Sequence, residues 1–245
     1  MAYRTYRTGM DFGFGYGLTP AVKKLLIANV AAFVLSILAQ AAGYGGLIGW
    51  LMLVPYDVTH RFLVWQMVTY MFLHAGFFHI LFNMFALWMF GGELEKTWGS
   101  SRFLQYYFLT GIGSALTVIV VSPSSPVATL GASGAIYGIL LAYGVLFADR
   151  MIFLYFLIPI RAKYFVMIMG GIEFLSAIST PGSLVSHVAH LGGMIFGLLY
   201  LRGVPLYFGL RNRYYHWRRL RLQRSFEVYR REQERKEQRR GPWVN

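Results

Sequence analysis

Six stretches of this 245-residue chain run nearly or wholly without charge for long enough to cross a lipid bilayer. A hydrocarbon core of about 30 Å asks for about 20 apolar residues per helix. Segments near that length fall at residues 25–42, 79–92 with apolar residues ahead of it, 103–121, 130–148, 164–178 and 188–202. A soluble domain would need a polar skin around these segments. Charged residues make up only 13% of the chain, against about 25% in an average soluble domain. The expected fold is therefore an all-α integral membrane protein, a bundle of six transmembrane helices. The chain has no cysteine, which excludes disulfides, thiol catalysis and thiolate metal sites.

The positions of the basic residues orient this bundle, because Lys and Arg resist translocation and stay cytoplasmic. Arg4, Arg7, Lys23 and Lys24 precede the first span, Lys96 and Arg102 divide spans two and three, and Arg150, Arg161 and Lys163 divide four and five. The other connections carry little charge: residues 43–65 hold Asp57 and Arg61, and residues 122–129 and 180–187 hold none. Both termini are expected in the cytoplasm, in a multi-pass protein of a bacterial inner membrane. The net charge of +13 gathers at the end, where 13 Lys and Arg stand against 4 Glu between Arg202 and Arg240. Beside a membrane such a tail contacts anionic lipid rather than nucleic acid. Glu227 with Arg231 and Glu232 with Lys236 have the spacing of a charged surface helix.

The resulting division is residues 1–22 as a cytoplasmic segment, 23–203 as the six-helix domain and 204–245 as a basic cytoplasmic tail. Thr19 is placed to cap the first helix and Pro20 to occupy its first turn. Lys23-Lys24, the apolar run behind them and Ala39-Gln40-Ala41 resemble a cleavable leader, but the long tract ahead of the lysines favours retention. Residues 151–159 are apolar yet too short to span and are expected at the interface. Trp50, Tyr56 and Trp65, in the first long connection, suit the aromatic belt at the membrane surface.

Polar side chains inside spans are costly and mark function by default. His79 and Asn83 stand four apart, on one face of span two. Ser133 opens span four within Gly131-Ala132-Ser133-Gly134, and His190 opens span six within Ala189-His190-Leu191-Gly192-Gly193. Spans two, four and six all start from the outer side, so these groups can meet at one depth. A serine needs a base to take its proton, and acyl transfer needs donors for the developing oxyanion. Ser133 is the candidate nucleophile, His190 the base, and His79 with Asn83 the oxyanion donors. Tyr137, one turn after Ser133, is placed to stack on His190. Gly134 with Gly138 and Gly193 with Gly197 form small-xxx-small pairs that let spans four and six approach.

At each of these places the chain resembles the rhomboid family of intramembrane proteases. The family's Gly-x-Ser-Gly motif is matched at Gly131 to Gly134 and its Ala-His-x-Gly-Gly motif at Ala189 to Gly193. His79 and Asn83 stand where its oxyanion-binding His and Asn do. Trp65-Gln66 and Gly91-Gly92-Glu93-Leu94-Glu95 are similar to further family segments, and the likeness covers about residues 20–203. It implies a Ser–His dyad without an acidic third member, no cofactor and no metal, and transmembrane helices of other proteins as substrates. Glu173, the charged residue of span five, is on this reading deeper than the dyad and structural or interfacial in role. His187 is expected to be a solvated loop residue, His74 to lie in a loop or behind the site, and His216 to belong to the tail. Two rivals remain: a haem- or metal-binding membrane protein with His79 and His190 as ligands, and a silent relative that only binds transmembrane helices.

Overall fold

The structure, a computed structural model, describes residues 18–154, 157–179 and 185–203, together with Arg235. The chain divides into two compact units, Met1–Leu199 and Tyr200–Asn245. In the second unit residues 200–203 are helical, and the basic tail beyond them lies outside the described residues apart from Arg235.

The first unit is built on helices. α1 (Pro20–Ala41) is followed by three short helices, α2 (Gly45–Gly49), α3 (Pro55–Arg61) and α4 (Gln66–Thr69), and a 3-10 turn at Tyr70–Phe72. α5 (Phe77–Ala86) continues through a π-helical turn, Leu87–Gly91, into α6 (Gly92–Trp98). α7 (Ser100–Val121), α8 (Ser133–Leu146) and α9 (Ala162–Ser179) follow, and residues 185–199 are helical and are termed α10 here. Among the described residues four helical stretches are long and apolar enough to cross a membrane: Pro20–Ala41, Phe77–Trp98, Ser100–Val121 and Ala162–Ser179. Their outer faces carry uncovered apolar side chains, among them Leu35 and Leu38 on α1 and Met167, Leu175 and Ile178 on α9, each about 60–70% exposed. Water would not tolerate that surface; lipid solvates it.

α8 is the shortest of the main helices and sits at the centre, with Ala135, Ile136, Ile139 and Ala142 buried. Fourteen residues make a helix about 21 Å long, short of the ~30 Å hydrocarbon core. Its first residue is therefore reached by chain that is not helical. That approach is pinned: Leu53 and Thr129 exchange backbone hydrogen bonds of 3.0 and 2.8 Å, and the Gly131 N–H donates to the Tyr70 carbonyl at 2.9 Å. Irregular backbone survives at such depth only where its polar groups are satisfied in this way or face a wet cavity.

One local expectation is corrected. Thr19 is the residue before α1 and Pro20 its first, but the Thr19 side chain makes no capping bond to its own helix. The cap comes from 76 residues further on. The buried Glu95 carboxylate accepts the N–H groups of Ala21 at 2.8 Å and Val22 at 2.9 Å, the Thr19 hydroxyl, and the Ser100 hydroxyl at 2.6 Å. A carboxylate at a helix N-terminus satisfies orphan donors and complements the helix dipole, so Glu95 does what a local Thr would do and ties three helix ends together. The apolar segment after α8, too short to span, takes a definite form. It is a two-stranded antiparallel hairpin, β1 (Met151–Leu154) with β2 (Ile158–Arg161), in which Met151 pairs Arg161 and Leu154 pairs Ile158. At its base Lys163 hydrogen-bonds Asp149 at 2.8 Å. That bond and the charges of Lys163 and Arg161 hold the Asp149 carboxyl below its ordinary range.

Candidate active site

Ser133 is the first residue of α8 and follows Gly131, whose φ of +127° lies in a region that side-chain-bearing residues avoid. The turn thus needs glycine for its backbone, and also for space. A Cβ at Gly131 would stand 2.8 Å from Cε1 and Nε2 of His79 and 3.7 Å from Ser133 Oγ. His79 and Ser133 consequently border the same small volume, one from α5 and the other from the mouth of α8.

His190 enters from α10. Its Nε2 lies 2.8 Å from Ser133 Oγ, and its ring is stacked on Tyr137 with centroids 4.3 Å apart and planes 12° from parallel. The approach of α10 to α8 depends on Gly193, because a Cβ there would collide with the Gly134 carbonyl oxygen. Gly134 and Gly138 also serve a second contact: their missing side chains leave room for Ser114 and Thr110 of α7, while a Cβ at Gly134 would in addition lie 3.5 Å from the Ala189 carbonyl oxygen of α10. α7 then fastens both partners, with the Ser114 hydroxyl donating to the Ala189 carbonyl at 2.7 Å and the Tyr106 hydroxyl to the Gly138 carbonyl at 2.7 Å.

His79 Nδ1 accepts a long hydrogen bond, 3.4 Å, from the Ala75 N–H. In a neutral imidazole one nitrogen accepts and the other donates, so the proton sits on Nε2, the nitrogen beside Gly131. Asn83 is buried and gives one amide hydrogen to the His79 carbonyl at 2.8 Å, which leaves its second donor free to serve the site. His74, buried, packs edge-on against His79 with ring centroids 5.1 Å apart.

Two residues lie where the sequence reading did not put them. Glu173 of α9 is level with the histidine: its Oε1 is 3.0 Å from His190 Nδ1. That is ion-pair distance, although the angle falls outside that of a hydrogen bond. The same carboxylate takes the Tyr137 hydroxyl and lies 2.6 Å from His187 Nδ1. His187 is accordingly helical and partly covered, with 22% of its side chain exposed, and is no loop residue. Helical spacing within α9 says nothing of its height against α10, which is why this cluster escaped the sequence. A signal was present all the same, in a carboxylate inside an otherwise apolar span and a second histidine one turn before His190.

These contacts also bear on the metal-binding rival. Among the described residues the donors close enough to share an ion are Glu173, His187 and His190, a group that excludes His79. Two ligands of one tetrahedral zinc stand about 3.3 Å apart, so the 2.6 Å between Glu173 Oε2 and His187 Nδ1 describes a shared proton better than a shared ion.

Residues 61–205 match the rhomboid domain model. Rhomboid protease GlpG of Haemophilus influenzae is 32% identical over 177 residues, 72% of this chain and 88% of that protein. Rhomboid protease GluP of Bacillus subtilis is 36% identical over 135 residues, which are 54% of this chain but 24% of that longer protein. Rhomboid protein 1 of Saccharomyces cerevisiae mitochondria is 32% identical over 139 residues, 53% of this chain and 38% of that protein. With a matched domain over more than half its length and an apolar helical bundle around it, the chain is an integral membrane protein and belongs to the rhomboid family of intramembrane serine proteases.

Proposed function

We propose that this protein is an endopeptidase that hydrolyses peptide bonds in or near transmembrane segments of other membrane proteins, with Ser133 as nucleophile and His190 as general base. The observation that carries the reading is the 2.8 Å contact between His190 Nε2 and Ser133 Oγ inside a bundle whose outer surface is apolar. His190 takes the Ser133 proton as Oγ bonds to the substrate carbonyl carbon. The carbonyl oxygen becomes negative, and the Nε2–H of His79, the free amide hydrogen of Asn83 and the Ser133 backbone N–H are its donors. The last of these belongs to the first turn of α8, which has no intrahelical acceptor and carries the positive end of the helix dipole. The volume beside Gly131, open to both His79 and Ser133, suits that oxygen. His190 then passes the proton to the leaving amine nitrogen as the C–N bond breaks, and water repeats the sequence on the acyl-enzyme. Tyr137 holds the imidazole by stacking, Gly131 keeps the oxyanion space open, and Gly134 admits α7 and, through its carbonyl, α10.

The wider arrangement belongs to the same proposal: six crossings over residues 23–203, a cytoplasmic segment at 1–22, both termini cytoplasmic in a bacterial inner membrane, and a basic tail at 204–245 on anionic lipid. No cofactor or metal takes part in the steps above. The decisive test is labelling of the detergent-solubilised protein with a fluorophosphonate. Wild type should label, and both Ser133→Ala and His190→Ala should lose labelling together with cleavage of a transmembrane substrate. Equal labelling of Ser133→Ala and wild type would end the reading.

A further inference from the structure

Between α8, α9 and α10 one carboxylate gathers three partners. Glu173 is buried, and its two oxygens face the Tyr137 hydroxyl of α8 and the Nδ1 atoms of His187 and His190 on α10. Lipid cannot satisfy a charge at this depth, so a carboxylate kept there is held by donors. An ionised carboxylate only accepts hydrogen bonds, so Tyr137 and His187 each contribute a proton to it, and at His190, whose Nδ1 stands at ion-pair distance without a hydrogen bond, an N–H faces the anion more favourably than a lone pair would. For His190 this sets the tautomer: with its proton on Nδ1, towards Glu173, the lone pair is on Nε2, towards Ser133 Oγ.

Resting on the dyad reading above, we propose that Glu173 is a positioning residue for His190, so that the site works as a Ser–His–Glu relay with His187 and Tyr137 as the groups that hold the carboxylate. Glu173 touches neither substrate nor nucleophile. It fixes the proton-accepting face of His190 in the resting enzyme and pairs with the imidazolium formed when Ser133 gives up its proton. Tyr137 thereby has two duties, its ring against His190 and its hydroxyl on Glu173. His187 holds the second oxygen and keeps the carboxylate from turning away.

The test is the rate of fluorophosphonate labelling at Ser133, measured on the full chain in detergent from about pH 5 to 9, for wild type and Glu173→Gln. The glutamine keeps the size and removes the charge. Groups facing Glu173 are Tyr137, His187 and His190; His190 also faces Ser133 and Tyr137, with His79 close enough on α5 to be felt electrostatically. Only neutral His190 can act as base. Without the carboxylate nothing holds the accepting face of His190 towards Ser133 or pairs with the imidazolium that forms, so the Glu173→Gln rate should fall about tenfold or more across the profile. A mutant profile superposable on wild type overturns the role of Glu173 while leaving the dyad intact, whereas absence of wild-type Ser133 labelling removes the dyad reading beneath it. A second measurement needs no Glu173 variant to fold. In wild type labelled with nitrogen-15 histidine, with His190 assigned by its loss in His190→Gln, the neutral ring should be protonated on Nδ1. Finding the proton on Nε2 refutes the proposal.

Discussion

A substrate oxygen at the proposed site would meet three kinds of donor: an imidazole N–H, a side-chain amide and a backbone N–H at a helix start. Asn83 separates most cleanly from the rest, since one amide hydrogen already secures the His79 carbonyl and the other is free for the transition state. Removing one such donor typically costs about 2.7–4 kcal/mol of barrier. Asn83→Ala should therefore lower kcat on a transmembrane substrate roughly a hundredfold or more with little change in KM. An unchanged kcat would remove Asn83 from the oxyanion site. At the same scale Gly131 shows how a single absent side chain serves two ends, since its φ of +127° and the His79 ring both forbid a Cβ.

At the scale of elements, the site exists because α7, α8 and α10 pack almost backbone to backbone. Apolar side chains gain little by leaving lipid for one another, so close packing and interhelical hydrogen bonds hold such helices together. Gly193 carries the tightest approach, against the Gly134 carbonyl. Gly193→Ala should force α10 away from α8, destabilising the protein by about 1–3 kcal/mol and separating His190 from Ser133. Gly171 supplies the control: it lies on α9 with nothing near its Cβ position, and alanine suits a helix better than glycine. Thermal unfolding in detergent should show a lower Tm for Gly193→Ala and an unchanged or slightly higher one for Gly171→Ala. Equal Tm values for Gly193→Ala and wild type would deny the contact its importance.

For the whole molecule the open matter is which way the bundle faces, and the absence of cysteine makes it directly measurable. Single cysteines replacing Ser124, on the α7–α8 connection, and Thr97, at the end of α6, are both exposed positions. In intact bacterial cells an impermeant maleimide should label Ser124→Cys, and Thr97→Cys only after permeabilisation; the reverse pattern would invert the proposed topology. Hydropathy, basic connections and the two glycine-flanked motifs are local properties of the chain. For that reason the membrane location, the positions of the main helices and the candidates Ser133, His190, His79 and Asn83 for the proposed site could be named without coordinates. Relative height and rotation of packed helices are not local. In lipid no outer polar face need turn towards water, so the spacing of residues along α9 does not say which way Glu173 points or how far along α10 it reaches. Only the packed bundle brought Glu173 and His187 beside His190, turned Gly134 and Gly138 towards α7, and capped α1 with Glu95 in place of Thr19, because each of these depends on how separate helices interlock.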